Sequence, residues 1–544
     1  MLLLKNGVIA TMDETCPTAE AVVVDGEHFA FVGSNADAEA FANNYSRGEL
    51  ETIDLQGGFL MAGFNDSHMH FIHYVKAKQS VDLFGVGSMA ELKEKMRQGL
   101  ANFDGSGGRF LIGEGWNQEL FSDEKRFPTR YDLDEITTEY PILIMRTCFH
   151  VGTLNSKAME ILGLNRETAK SHGSFAEVDA NGEPNGVIKE NYLDDTKGQL
   201  PSLSIPELLK CTVDAQHDLF AEGLTSVQTD DFKYAPEGKS YDLMEGLMAL
   251  SRSGELKLRI AEQALLTDQA SLDEFFARGG ASYGASDRFR ISTVKILADG
   301  SLGARTAYMQ VPYADAPDTV GLPIYENQQE LNDLVLTSHL HNMPTAIHVI
   351  GDGAAQMSLD AIEYAQKAAP WHNPRHGLVH CQIMTQPQLE KMRELDVQAF
   401  TQPVFINGDM HIAPSRLGEE RVRWSYSWKT MLDLGIHQSF GTDCPVERFR
   451  PMEGVYCAVT RRDFTGFGPF LPEQAVSVQE ALYAYTAAGA YASGEEHIKG
   501  KIRPGMLADF ILMDRNLYTC PSEELYHAQV LRTWVGGECV YTAE

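Results

Sequence analysis

The 544-residue chain has no stretch approaching the ~20 consecutive apolar residues that a membrane-spanning helix needs. Its first residues, Met1-Leu2-Leu3-Leu4-Lys5-Asn6-Gly7, turn polar too soon for a secretory signal, which predicts a cytoplasmic protein. Positive charge is also scarce: 45 Lys and Arg stand against 76 Asp and Glu, a formal charge of -31. Such a surface repels phosphate backbones and anionic lipid, so nucleic acid and membrane partners are disfavoured and a small-molecule substrate is expected. The eight cysteines (16, 148, 211, 381, 444, 457, 520 and 539) never fall in a Cys-x-x-Cys spacing, which argues against a zinc ribbon or disulfide framework and for reduced thiols. There is no Gly-x-x-x-x-Gly-Lys-Ser/Thr phosphate loop and no His-Glu-x-x-His.

What the chain does have is the stretch 59–73, FLMAGFNDSHMHFIH. An apolar run stops at Asn65-Asp66 and delivers His68 and His70 one residue apart. In extended backbone, residues two apart point to the same side, so both imidazoles can face one point. The other such pair, His339 and His341, sits in a helical pattern where residues two apart diverge.

The ends of the chain read as strands. Turn-linked pairs are expected at 2–4 with 8–10 around Asn6-Gly7, at 21–24 with 29–32 around Asp25-Gly26, and at 531–535 with 539–541 around Gly536-Gly537. Two hairpins cannot bury a core alone, so residues 1–58 and 499–544 are expected to build one small β-sandwich. Between them, 59–498 reads as a single domain. Short apolar runs at 59–64, 224–228, 258–261, 291–297, 345–350, 377–381, 397–401 and 438–442 alternate with helical patterns such as 205–222, 328–342, 354–368 and 387–394. Eight strand-then-helix units predict an α/β fold, a (β/α)8 TIM barrel with its site at the carboxyl ends of the strands. Residues 75–205 break that rhythm and read as an inserted α/β subdomain after the first strand, a candidate lid in which Trp116 and His150 are candidate substrate contacts.

The strand ends carry His68 and His70, then Lys295, His348, His380 and Asp443. Four histidines, one lysine and one aspartate on one rim point to a metal site. Lys295, among Val294, Ile296 and Leu297, needs neutralisation or a partner. It is a Schiff-base nucleophile, a salt-bridged amine, or a carboxylated amine bridging two metals, and the four histidines beside it favour the third.

The pattern resembles the amidohydrolase superfamily and, within it, the third amidohydrolase branch of N-substituted formamide deformylase-like and YtcJ-like proteins. The resemblance spans nearly the whole chain. It is carried by Gly63-Phe64-Asn65-Asp66-Ser67-His68-Met69-His70, Val294-Lys295-Ile296, Asp299 to Ala307, His348-Val349-Ile350-Gly351-Asp352, His380, Thr442-Asp443-Cys444-Pro445 and the closing Gly505 to Phe510. Thr442 and Val349 depart from the usual serine and alanine. The resemblance implies that His68, His70 and Asp443 bind one divalent metal, that His348 and His380 bind a second, and that carboxylated Lys295 bridges them, with zinc as the expected ion. It also implies hydrolysis of an amide-type C-N bond, of an N-substituted formamide or N-acyl amine, with Asp443 as proton carrier. Arg305, after the fourth strand, is a candidate partner for a substrate carboxylate. A deaminase or cyclic amidase using the same site is the alternative among enzymes, and an inactive metal-binding or regulatory protein the alternative outside them. A homodimer is the default assembly.

Overall fold

A computed structural model describes residues 1–147, 150–284, 286–371 and 373–544, so Cys148 lies outside the described residues. The chain divides into two compact units, Met1–His73 with Leu209–Glu544, and Tyr74–Leu208.

The first unit is built on an eight-stranded parallel sheet with the arrangement of a TIM barrel. Its strands are β1 (Phe64–Met69), β2 (Leu224–Thr229), β3 (Arg259–Leu265), β4 (Phe289–Leu297), β5 (Thr345–Val349), β6 (Gly377–His380), β7 (Gln398–Thr401) and β8 (Gln438–Phe440), each beside its sequence neighbour. Helices such as Ser240–Ser253, Gln328–Leu340, Asp352–Ala368 and Gln386–Glu394 connect them. The strand interiors are almost wholly buried, as a parallel sheet covered by helices requires.

The run at 59–64 is not one barrel strand. Phe59–Ala62 belongs to a different sheet, and β1 starts at Phe64. The switch happens at Gly63, where an added Cβ would lie 2.3 Å from Thr225 Cγ2, so only glycine lets the backbone pass that close to β2. His68 is therefore inside β1, and His70 follows its last residue.

Near β8 the first and last strands are joined at their carboxyl ends. Asp443 N donates to His68 O at 2.8 Å, His70 N donates to Cys444 O at 2.7 Å, and Thr442 donates its backbone N–H and its hydroxyl to the buried Asp66 carboxylate. Gly441 allows this approach, since a Cβ there would lie 2.6 Å from His68 N.

The chain ends meet in a six-stranded sheet in the order Glu538–Thr542, Val530–Val535, Phe510–Met513, Phe59–Ala62, Val8–Ala10, Thr18–Ala19. A four-stranded sheet, His28–Gly33, Ala21–Asp25, Leu2–Lys5, Glu51–Asp54, lies with it around Leu4, Ile9, Val22, Phe29, Leu60, Phe510 and Trp534. The hairpins at Asp25-Gly26 and Gly536-Gly537 are present. The one expected at Asn6-Gly7 is not: Leu2–Lys5 pairs with Ala21–Asp25 in one sheet and Val8–Ala10 with Phe59–Ala62 in the other. A two-residue turn signal cannot tell a hairpin from a chain that crosses between facing sheets.

The second unit holds its own six-stranded sheet, in the order Ala176–Val178, Pro184–Lys189, Val151–Leu154, Ile142–Arg146, Leu111–Trp116, Val81–Asp82, with the helix Met89–Ala101 among those packed on it. Among the described residues no helix is long and apolar enough to cross a membrane.

Candidate metal centre

The carboxyl ends of β1, β4, β5, β6 and β8 bring the six residues together. His68 and His70 both present Nε2 to one oxygen of Asp443, at 3.4 and 2.9 Å, with their ring centroids 5.2 Å apart. His380 lies 5.7 Å from His68 and 4.5 Å from His348, centroid to centroid. Lys295 Nζ donates to His68 Nε2 at 2.9 Å. Two overlapping triads, His68–His380–Asp443 and His68–His70–Asp230, have donor atoms all within 4.8 Å of one another.

Each ring is held by its other nitrogen. Nδ1 of His68 contacts Gln263 Oε1 at 2.9 Å, that of His348 contacts Asp299 Oδ1 at 3.0 Å, and that of His380 contacts Gln402 Oε1 at 2.8 Å. An acceptor at Nδ1 places the proton there and leaves the Nε2 lone pair facing inward, as metal-ligating imidazoles require. His70 pairs through Nδ1 with Asp230.

Burial and charge then set the protonation. Burial, helped by Lys295, lowers His68 to about 4. Burial also acts to lower His70, but Asp230 and Asp443 overcome it and raise the imidazole to about 9. Lys295 is brought down to about 8 by burial, against the pull of Asp230 and Asp443. Burial disfavours the Asp443 carboxylate, yet His68 and His70 hold it well below the usual range.

The donors fit a divalent ion. Asp443 Oδ1 is buried against the Nε2 atoms of His68 and His70, and Asp230 Oδ2 is buried without a hydrogen bond among the described residues. Buried anionic oxygens without a donor are costly unless a cation satisfies them. His380 and Asp443 also hold non-glycine left-handed backbone, with φ of 78° and 59°, a strain of about 1–3 kcal/mol each that clusters at functional sites.

The amidohydrolase family model matches residues 51–541. The chain belongs to the amidohydrolase family. This amidohydrolase is similar to YtcJ of Bacillus subtilis (strain 168), itself named an amidohydrolase, with 30% identity over 543 residues and 98% of both chains covered. It is 27% identical over 563 residues to an N-substituted formamide deformylase of Arthrobacter pascens, covering 99% of this chain and 98% of that one. An uncharacterized metal-dependent hydrolase from Pyrococcus furiosus superposes with a TM-score of 0.77 at 30% identity, over 95% of this chain and 100% of that one. The amidohydrolase is thus a metal-dependent hydrolase with histidine and aspartate groups able to bind the ion.

One residue escaped the reading of the sequence. Asp230 follows β2, bonds His70 and lies 3.9 Å from Lys295 Nζ. The signal was Asp230-Asp231 at a strand's carboxyl end, the same position that marked the histidines. The remaining candidates have other partners. Arg305 forms a two-armed ion pair with Asp315, Nε to Oδ1 at 3.1 Å and Nη2 to Oδ2 at 2.9 Å, so its fork already holds a carboxylate of the protein. Trp116 is fully buried in the core of the second unit, beside Leu83, Met96 and Ile144. His150 is exposed on the same unit and bonds Glu190 at 3.0 Å. His339 is buried and bonds His376, a core role.

Proposed function

We propose that this amidohydrolase, acting on carbon–nitrogen bonds, hydrolyses the amide of an N-substituted formamide or other N-acyl amine, a small-molecule substrate met in the cytoplasm. The observation that carries the reading is the Asp443 carboxylate, ionised and buried with one oxygen facing the Nε2 atoms of two imidazoles. The Arthrobacter pascens relative named for that reaction supports the substrate class. Seven cysteines free among the described residues suit a reducing compartment.

His68, His70 and Asp443 would hold one ion, and His348 and His380 a second. Zinc suits imidazole and carboxylate donors. Such an ion, when bound, supplies a Lewis acid and lowers the pKa of water from 15.7 to roughly 7. Asp443 takes the proton of the attacking water as the water oxygen bonds to the amide carbon, then gives it to the leaving nitrogen as the C–N bond breaks. Formate, or another carboxylic acid, and an amine leave.

Lys295 as an unmodified ammonium donates to the His68 lone pair that the ion needs. Reaction of its neutral amine with CO2 would give a carbamate and a proton, replacing a competing donor by an anionic ligand. The lowered basicity of the buried amine favours this step.

Metal-loaded protein is expected to release amine and acid from a panel of N-formyl and N-acyl amines, followed by liquid chromatography. No turnover across that panel, or ammonia released from aminated rings instead, would overturn the assignment.

A further inference from the structure

The loops after β6, β7 and β8 carry polar groups that the metal centre does not use. Phe405, after β7, lays its ring face to face on His380, with centroids 5.8 Å apart and planes at 16°. Asp409 lies four residues on, at the end of the helical turn Ile406–Asp409, and residues four apart in helical backbone share a face. Asp409 therefore shares the face of its loop that carries Phe405, about one turn further on. Its Oδ2 accepts from the Tyr426 hydroxyl at 2.6 Å and from Gln382 Nε2 at 3.4 Å. Both partners are neutral, so the half-buried carboxylate has no cation among its hydrogen-bond partners, and burial raises its pKa.

Gln382, two residues after His380, is 3% exposed, and its Oε1 is buried without a hydrogen-bond partner among the described residues. The orientation of this amide is fixed, because the reverse one would set an oxygen against the Asp409 carboxylate. An acceptor that needs a donor thus sits beside an anion that needs a cation. Glu447, four residues after Asp443, is raised to about 7 by burial and by the charges of Asp409, Glu453 and Asp443, against the pull of Arg448. Glu453, by contrast, is already paired with Arg450 at 3.2 Å.

We propose that Gln382, Asp409 and Glu447 form a subsite beside the metal centre for a cationic, N–H-rich group of the substrate, an ammonium or guanidinium. An acceptor without a donor, Gln382 Oε1, beside a carboxylate bonded only to neutral donors complements such a group, since it offers only donors and carries the opposite charge. The formal charge of -31 draws cations towards the protein. The substrate class becomes an N-acyl amine with a second, basic nitrogen.

The kinetic part of the test rests on the amide-hydrolase reading, and the binding part does not. Calorimetry on the metal-loaded full chain uses butylammonium, butylguanidinium and butanol. At least one cation is expected to bind tenfold or more tighter than butanol, and Asp409→Asn to weaken that cation at least tenfold. Kinetics compare N-formyl-1,4-diaminobutane with N-formylpentylamine, a neutral compound of similar length. The ratio of their kcat/KM values is expected to favour the diamine at least tenfold and to fall towards one in Asp409→Asn. If Asp409→Asn does not fold, Glu447→Gln, on a different loop, serves in both experiments with a fall of at least threefold. Equal binding of cations and butanol, a kcat/KM ratio within twofold, or a variant that slows both amides alike overturns the subsite. If neither amide is hydrolysed the amide reading fails, and calorimetry alone decides the subsite.

Discussion

His70 shows how far one side chain is set by its neighbours. Its two nitrogens face two carboxylates, Asp230 and Asp443, which hold the ring protonated up to about 9 although burial acts the other way. An ion can use Nε2 only after displacing that proton. Apparent metal affinity should therefore rise with pH by about tenfold per unit and level off above about 9, as measured by competition with a chelator. An affinity that is flat between neutral pH and that point would contradict the geometry. Asp443→Asn keeps the shape and loses the proton acceptor, so kcat should fall by about 10²–10⁴-fold, with metal content determined on the same sample. For Lys295, native mass spectrometry should show the mass of one CO2 on the metal-loaded chain. Lys295→Ala should lose metal and recover part of it with a short carboxylic acid.

Among elements, the decisive feature is the meeting of β1 and β8. The histidine pair on β1 and the aspartate after β8 are set against each other by backbone hydrogen bonds and by Asp66, not by either strand alone. Gly441 makes that approach possible. Gly441→Ala would force His68 N to move, costing about 1–3 kcal/mol of stability. Metal content should fall with it, because the displaced strand carries two ligands. Urea unfolding and elemental analysis of one preparation test both, and a stable variant with full metal content would show that the meeting tolerates a side chain. The alternation of strand and helix was legible because a period of two and a period of 3.6 are local properties. The division of 59–69 between two sheets was not legible, because what interrupts it is the approach of Thr225 from more than a hundred residues away.

On the scale of the first unit, the terminal sheet is tied to the barrel by charge. Arg259, the first residue of β3, forms a buried two-armed pair with Asp509, Nε to Oδ2 at 2.6 Å and Nη2 to Oδ1 at 3.0 Å. Removing one partner leaves the other charge buried and unpaired, so Asp509→Ala should cost about 3–5 kcal/mol, read from the midpoint of denaturant unfolding. The sequence by itself determined the kind of fold and the chemical types at the strand ends, because hydrophobic period and residue identity are written locally. Only the tertiary structure brought Asp230 to His70, turned the Lys295 amine onto His68, gave the Arg305 fork a carboxylate of its own and buried Trp116. Each of these depends on distance between residues far apart in the chain, and that distance is fixed by packing and strand register, which no local pattern encodes.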